Sequence, residues 1–130
     1  MIGWLGVALG GALGSMARHA INSIVLHHWP SLQFPVATTL INLVGSTVFG
    51  IMAGLLSSRA VAVPVHWREF LFVGILGGFT TFSTFSFETL SLLRSGAVEY
   101  AVLSVVVQVA GGVAGLYAGF ALAERIARQL

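Results

Sequence analysis

The chain has 130 residues, 57% of them hydrophobic and only 8% charged, against roughly 45–50% and 25% in soluble domains. Six arginines and four glutamates give a formal charge of +2, too sparse a basic set for a nucleic-acid surface. Cysteine is absent, which excludes disulfides, thiolate metal sites and thiol nucleophiles.

The composition predicts an all-α integral membrane protein, one transmembrane domain over residues 1–130. Four apolar segments are readable, roughly 3–26, 35–56, 67–93 and 97–125, each at or beyond the ~20 residues a spanning helix needs. The first is read as a retained helix and not a signal peptide: no Lys or Arg precedes it, and Gly6, Gly10 and Gly14 are spaced for helix packing. Arg18 and Asn22 extend that face, and an arginine at this depth must snorkel, pair or face water. His27 and His28 end the segment with no carboxylate or thiol beside them, so they read as interfacial residues and not metal ligands. Trp4 and Trp67 are expected at one membrane face and Trp29 at the other, as an aromatic belt.

In the second segment Thr38, Asn42, Gly45 and Phe49 fall on one stripe of a 3.6-residue helix. Asn42 either glues helices together or faces a polar pathway. Past the loop at 57–68, the third segment contains Gly77-Gly78 followed by a run of hydroxyls. Two adjacent glycines allow the helix to unwind near Gly77–Thr80. Carbonyls freed within a membrane must be buried in protein or line a wet cavity, where they commonly hold a cation, so an ion site is expected there.

Phe82 and Phe85 follow at helical spacing, interleaved with Thr81, Ser83, Thr84 and Ser86. Electropositive ring edges and donating hydroxyls could hold a small anion without formal positive charge; the alternative is that the rings pack and the hydroxyls bond back to their own helix. Phe72 and Phe120 lie in apolar stretches outside this run. Glu88 is costly unless neutralised. Counting helical rise puts it in the same half of the membrane as Arg18, which makes the two a possible ion pair. The fourth segment places Tyr100, Ser104 and Gln108 on one face that continues as Gly111, Gly115 and Gly119. No Ser/His/Asp constellation, acidic dyad or phosphate loop is present, so an enzyme is not expected.

The stretch Gly77-Gly-Phe-Thr-Thr-Phe-Ser-Thr-Phe85 with Glu88 resembles the signature of the Fluc (CrcB) fluoride channels. Two further stretches agree. Gly10-Gly-Ala-Leu-Gly-Ser-Met-Ala-Arg18 is similar to the family's first-helix motif, with Ser15 where Ala is commoner and His19 where an aromatic is usual. Thr38 to Gly50 resembles the second motif, with Ala37 in place of the usual Gly. The resemblance implies an antiparallel homodimer with two pores in the cell inner membrane, passing fluoride passively outward and so giving fluoride resistance. It implies that Asn42, Phe82 and Phe85 line the pores with Thr38, Thr81, Ser83 and Thr84. A further row would be formed by Tyr100, Ser104 and Gln108, the last standing where a small hydroxyl is more usual. It also implies a structural Na⁺ at the dimer interface, held by main-chain carbonyls of Gly77 and Thr80.

Two other readings fit the size. A proton-coupled exporter of the small multidrug resistance kind needs a deep carboxylate, and the first helix has no Asp or Glu. A structural subunit of a larger membrane complex leaves the Gly77–Glu88 stretch unexplained. Dual insertion calls for a weak charge bias, yet Arg59, Arg68, Arg125 and Arg128 lie on the side of the termini against Arg94, plus Arg18, on the other. Positive-inside logic therefore favours cytoplasmic termini.

Overall fold

The structure, a computed structural model, describes residues 2–58 and 61–129, and all regular elements within them are helices. Arg59, counted above for orientation, lies outside the described residues. Helix α1 runs over Ile2–His28 and α2 over Val36–Ser57. Pro35 precedes α2, where its missing N–H would have had no helical partner, and its carbonyl accepts from Thr39 N at 3.0 Å. Pro64 starts α3, residues 65–79, in the same way, accepting from Trp67 N and Arg68 N. Helix α4 is Phe82–Arg94 and α5 is Val98–Ala127. Gly96, at φ 81°, is the only positive-φ glycine among the described residues. It turns the chain between α4 and α5 while Ala97 N bonds back to Leu92 O at 2.9 Å.

Among the described residues three stretches are long and apolar enough to cross a membrane: Val36–Ser57, Val65–Arg94 and Val98–Ala127. Helix α1 has the length, 27 residues, but its glycines, Arg18, His19 and Asn22 dilute its apolarity.

The helices associate as two parallel pairs. Helix α1 lies along α3: a Cβ on Gly10 would meet Phe70 O at 2.5 Å, one on Gly78 would meet Gly11 O at 2.6 Å, and one on Gly14 would collide with Ile75 O. Helix α2 lies along α5 by the same device, with Gly54 against Phe120 O at 2.5 Å and Gly50 and Gly119 seated on Leu116 O and Thr47 O. Without side chains at these points the backbones approach until dispersion contacts are made along the whole length, the main source of helix association where hydrocarbon is the solvent. The two pairs run in opposite directions, so the chain begins and ends on one side. Trp4 lines a recess there with Glu69, and Trp67 packs edge-on against Phe70 at 5.6 Å. Trp29 is at the other end, beyond α1.

The interruption of the third segment differs from the sequence expectation in position and cause. Gly77 is right-handed helical (φ −64°, ψ −37°), and helix continues through Phe79. The chain leaves it at Thr80 (ψ 157°) and Thr81 (φ −151°, ψ 112°), both extended. The glycine pair does not unwind. Gly78 is small because α1 passes against it. A second irregularity was not anticipated: Glu69–Leu76 is wound as a π-helix, the wider winding that recurs at functional sites.

Candidate functional site

The site is built on the two extended residues between α3 and α4. Thr80 N still closes on Leu76 O at 3.0 Å, and the Thr80 hydroxyl donates to the same carbonyl at 2.9 Å. Thr81 N cannot continue the ladder and donates instead to Asn42 Oδ1 at 2.9 Å, while Asn42 Nδ2 donates to Thr81 O at 3.1 Å. A side-chain amide on α2 thus takes the place of a neighbouring backbone and satisfies both polar groups of the broken residue. Thr81 also caps α4: its Oγ1 accepts from Thr84 N at 3.3 Å and donates to Thr84 Oγ1 at 2.9 Å. Ser83 Oγ lies 3.5 Å from the same hydroxyl.

One backbone N–H fixes the polarity of everything beyond it. Because Thr81 N–H requires an acceptor, Asn42 must present its oxygen there and its nitrogen on the other side. That nitrogen donates to Gln108 Oε1 at 2.7 Å, and Gln108 Nε2 then donates to Ser104 Oγ at 2.9 Å. The relay joins the helix break, α2 and α5, and Ser104 and Gln108 are buried. A connected polar chain of this kind specifies one arrangement of three helices.

Beside the relay lies an open-sided groove of about 470 Å³. Asn42, Thr80, Thr81, Phe82, Phe85 and Gln108 line it, together with Gly77, Ser46, Phe49 and Phe72, and no charged side chain contributes. Phe85 is buried and Phe82 is 76% exposed, their rings 5.5 Å apart. Phe49 and Phe72, which also line it, meet edge-to-face at 4.8 Å. Phe72, set apart from the motif by sequence, therefore belongs to the same groove. Ser46, one turn beyond Asn42, was not singled out; only the pairing of α2 with α5 reveals it.

The remaining sequence candidates stand elsewhere. Thr38, almost wholly buried, donates from Oγ1 to Glu88 Oε1 at 2.8 Å. Glu88 lines a second cavity of about 510 Å³ with Asn22, Trp29 and Phe34, and its Oε2 is buried without a hydrogen-bond partner among the described residues, as is Thr39 Oγ1. Tyr100 is toward this end, 6.5 Å from the Phe34 ring. Ser83, Thr84 and Ser104 do not reach the groove surface. The possible ion pair of Arg18 with Glu88 is not formed within the single chain, where the one ion pair among the described residues is Arg128–Glu124, at 3.7 Å. Helix α1 packs on α3, and across the second cavity the α1 residues that face Glu88 include Asn22.

At the break, among the described residues, the carbonyls of Gly77, Gly78, Phe79 and Thr80 receive no hydrogen bond from the chain. No cluster of His, Asp or Glu suited to a metal is present among them either, so any cation here would rest on main-chain oxygen.

Three long apolar helices, one interrupted beside a largely apolar groove that carries a few amide and hydroxyl groups, define a multi-pass membrane protein. The chain belongs to the CrcB family: the family described as CrcB-like protein, Camphor Resistance (CrcB), matches residues 5–120. It is 44% identical over 126 residues to the fluoride-specific ion channel FluC of Hyphomonas neptunium, covering 97% of this chain and 98% of that one. It is 46% identical over 122 residues to FluC of Methylobacterium sp. (94% and 96% covered), and 40% identical over 126 residues to FluC of Saccharophagus degradans (97% and 92%).

Proposed function

We propose that this protein is a fluoride-selective passive channel of the cell inner membrane that lets the anion leave the cell. The observation that carries this reading is the groove at the helix break, which offers amide and hydroxyl donors and phenyl edges but neither a carboxylate nor a fixed cation. Such a surface replaces the hydration shell of a small, strongly hydrogen-bonding anion and holds it weakly enough to pass it on. Near-full-length likeness to proteins named as fluoride-specific channels supports the same substrate. With no carboxylate in the groove, proton-coupled export has no titrating group on which to run.

The working unit in this reading is an antiparallel homodimer with four spanning helices per chain. The open side of the groove and the 76% exposure of Phe82 support a second copy closing the pathway. A Na⁺ at that interface fits the residues present, since the carbonyls of Gly77 and Thr80 are left without donors and Gly77 is exposed. When bound it supplies a fixed positive potential next to the anion path. Asn42 meanwhile holds Thr81, and Thr81 holds the start of α4, so the phenyl rings and hydroxyls keep their positions as the anion passes. Electrode recordings of fluoride release from liposomes, with chloride followed in parallel, test the proposal.

A further inference from the structure

The proton inventory of the groove separates the polar groups that hold the structure from those with a donor to spare. Asn42 Nδ2 carries two protons and meets two acceptors, Thr81 O and Gln108 Oε1. Thr81 N–H is taken by Asn42 and its hydroxyl by Thr84, and the Thr80 hydroxyl is taken by Leu76 O. Gln108 Nε2 also has two protons but gives only one, to Ser104 Oγ.

Ser46 is the other exception. The hydroxyls of Thr47, Ser86 and Thr89 bond back to the carbonyl four residues earlier, whereas that of Ser46 makes no hydrogen bond among the described residues. Gly112 stands one turn after Gln108 on α5, as Ser46 stands one turn after Asn42 on α2. The atom a Cβ on Gly112 would meet is Ser46 Oγ, at 3.4 Å, so the glycine faces that hydroxyl across the helix pair, and both line the groove with Gln108.

We infer that the donors that touch the permeating anion in this chain are Gln108 Nε2 and Ser46 Oγ, and that Asn42 is a positioning residue. Asn42 orients the Gln108 amide by engaging its oxygen, which leaves the nitrogen to Ser104 with one proton to spare. This rests on the reading of the groove as an anion path. Its specificity consequence is that a chain with a small hydroxyl at position 108 lacks the second amide of this relay and must contact the anion differently.

The test uses the full chain in liposomes, with side-chain amides of Asn and Gln labelled with ¹⁵N and sodium fluoride as the probe. Solid-state ¹⁹F–¹⁵N dephasing is expected at Gln108 Nε2 and absent at Asn42 Nδ2. Ser46→Ala and Gln108→Met are each expected to raise the fluoride concentration giving half-maximal flux about tenfold, the effect of one lost hydrogen bond to an ion. Dephasing at Asn42 with Gln108 silent, or an unchanged half-maximal concentration in either variant, overturns the inference while leaving the channel reading in place. If wild-type liposomes pass no fluoride at all, the channel reading itself fails. The dephasing measurement needs no variant, so a misfolded substitution does not blunt the test.

Discussion

Asn42 and Thr81 exchange two hydrogen bonds, Thr81 N to Asn42 Oδ1 at 2.9 Å and Asn42 Nδ2 to Thr81 O at 3.1 Å. One side chain thereby does for a single residue what a neighbouring strand does for a sheet, and both backbone polar groups of Thr81 are satisfied where the third helix breaks inside the protein.

The first prediction follows from counting what each substitution strands. Asn42→Leu leaves Thr81 N, Thr81 O and Gln108 Oε1 unpartnered, whereas Gln108→Leu leaves one proton of Asn42 and one acceptor on Ser104. A buried unpartnered group costs about 1–3 kcal/mol. Asn42→Leu should therefore be the more destabilising, measured as loss of folded protein in denaturing-detergent titrations. Equal or reversed costs would show that the relay does not hold the break.

Glycines 77 and 78, adjacent in sequence, should behave oppositely. A Cβ on Gly78 meets the backbone of Gly11 at 2.6 Å, while one on Gly77 finds its nearest neighbour, Phe72 O, at 3.6 Å. Gly78→Ala should separate α1 from α3 and lower stability by about 1–3 kcal/mol through overpacking. Gly77→Ala should leave the fold of one chain intact, so any loss of flux or of Na⁺ dependence it causes arises where a second copy closes on it. A folding defect in Gly77→Ala equal to that of Gly78→Ala counts against this division.

The two motif phenylalanines separate packing from permeation. Phe82 is 76% exposed in the single chain and Phe85 is buried. Phe82→Ile should change monomer stability by less than about 0.5 kcal/mol and Phe85→Ile by less than about 1.5 kcal/mol, yet both should cut fluoride flux strongly, because an aliphatic group has no electropositive edge. Phe120→Ile is the fitting control. Phe72 is not, since it lines the groove against Phe49.

Double-substitution cycles should now favour a different partner for Glu88. Thr38→Val combined with Glu88→Gln should show coupling of about 0.5–3 kcal/mol, and Arg18→Ala with Glu88→Gln should be additive to about 0.3–0.5 kcal/mol. The reverse pattern would place Arg18 against Glu88 despite the packing of α1 on α3.

Much of this architecture is legible in the sequence because a membrane punishes polarity: apolar runs mark helices, and the Thr81–Glu88 run stands out where hydroxyls are expensive. Gly77-Gly78 misleads because glycine serves two ends, backbone freedom and close approach, and only the neighbour across the interface decides which. The π-winding of 69–76 leaves no mark in a run as apolar as Glu69–Leu76. Arg18 and Glu88 share a depth, but depth is one coordinate of three. The roles of Ser46 and Gln108 depend on α2 lying parallel to α5, a relation between segments more than 60 residues apart, and that of Phe72 on α3 meeting α2 at Phe49; periodicity within one helix encodes neither.

The most direct measurement is fluoride release from liposomes holding the purified protein, recorded with a fluoride electrode while chloride is followed in parallel and no proton gradient is applied. The account predicts rapid, electrogenic fluoride release with almost no chloride. Fluoride that moves only when a proton gradient is imposed, or chloride that moves as fast as fluoride, would contradict it.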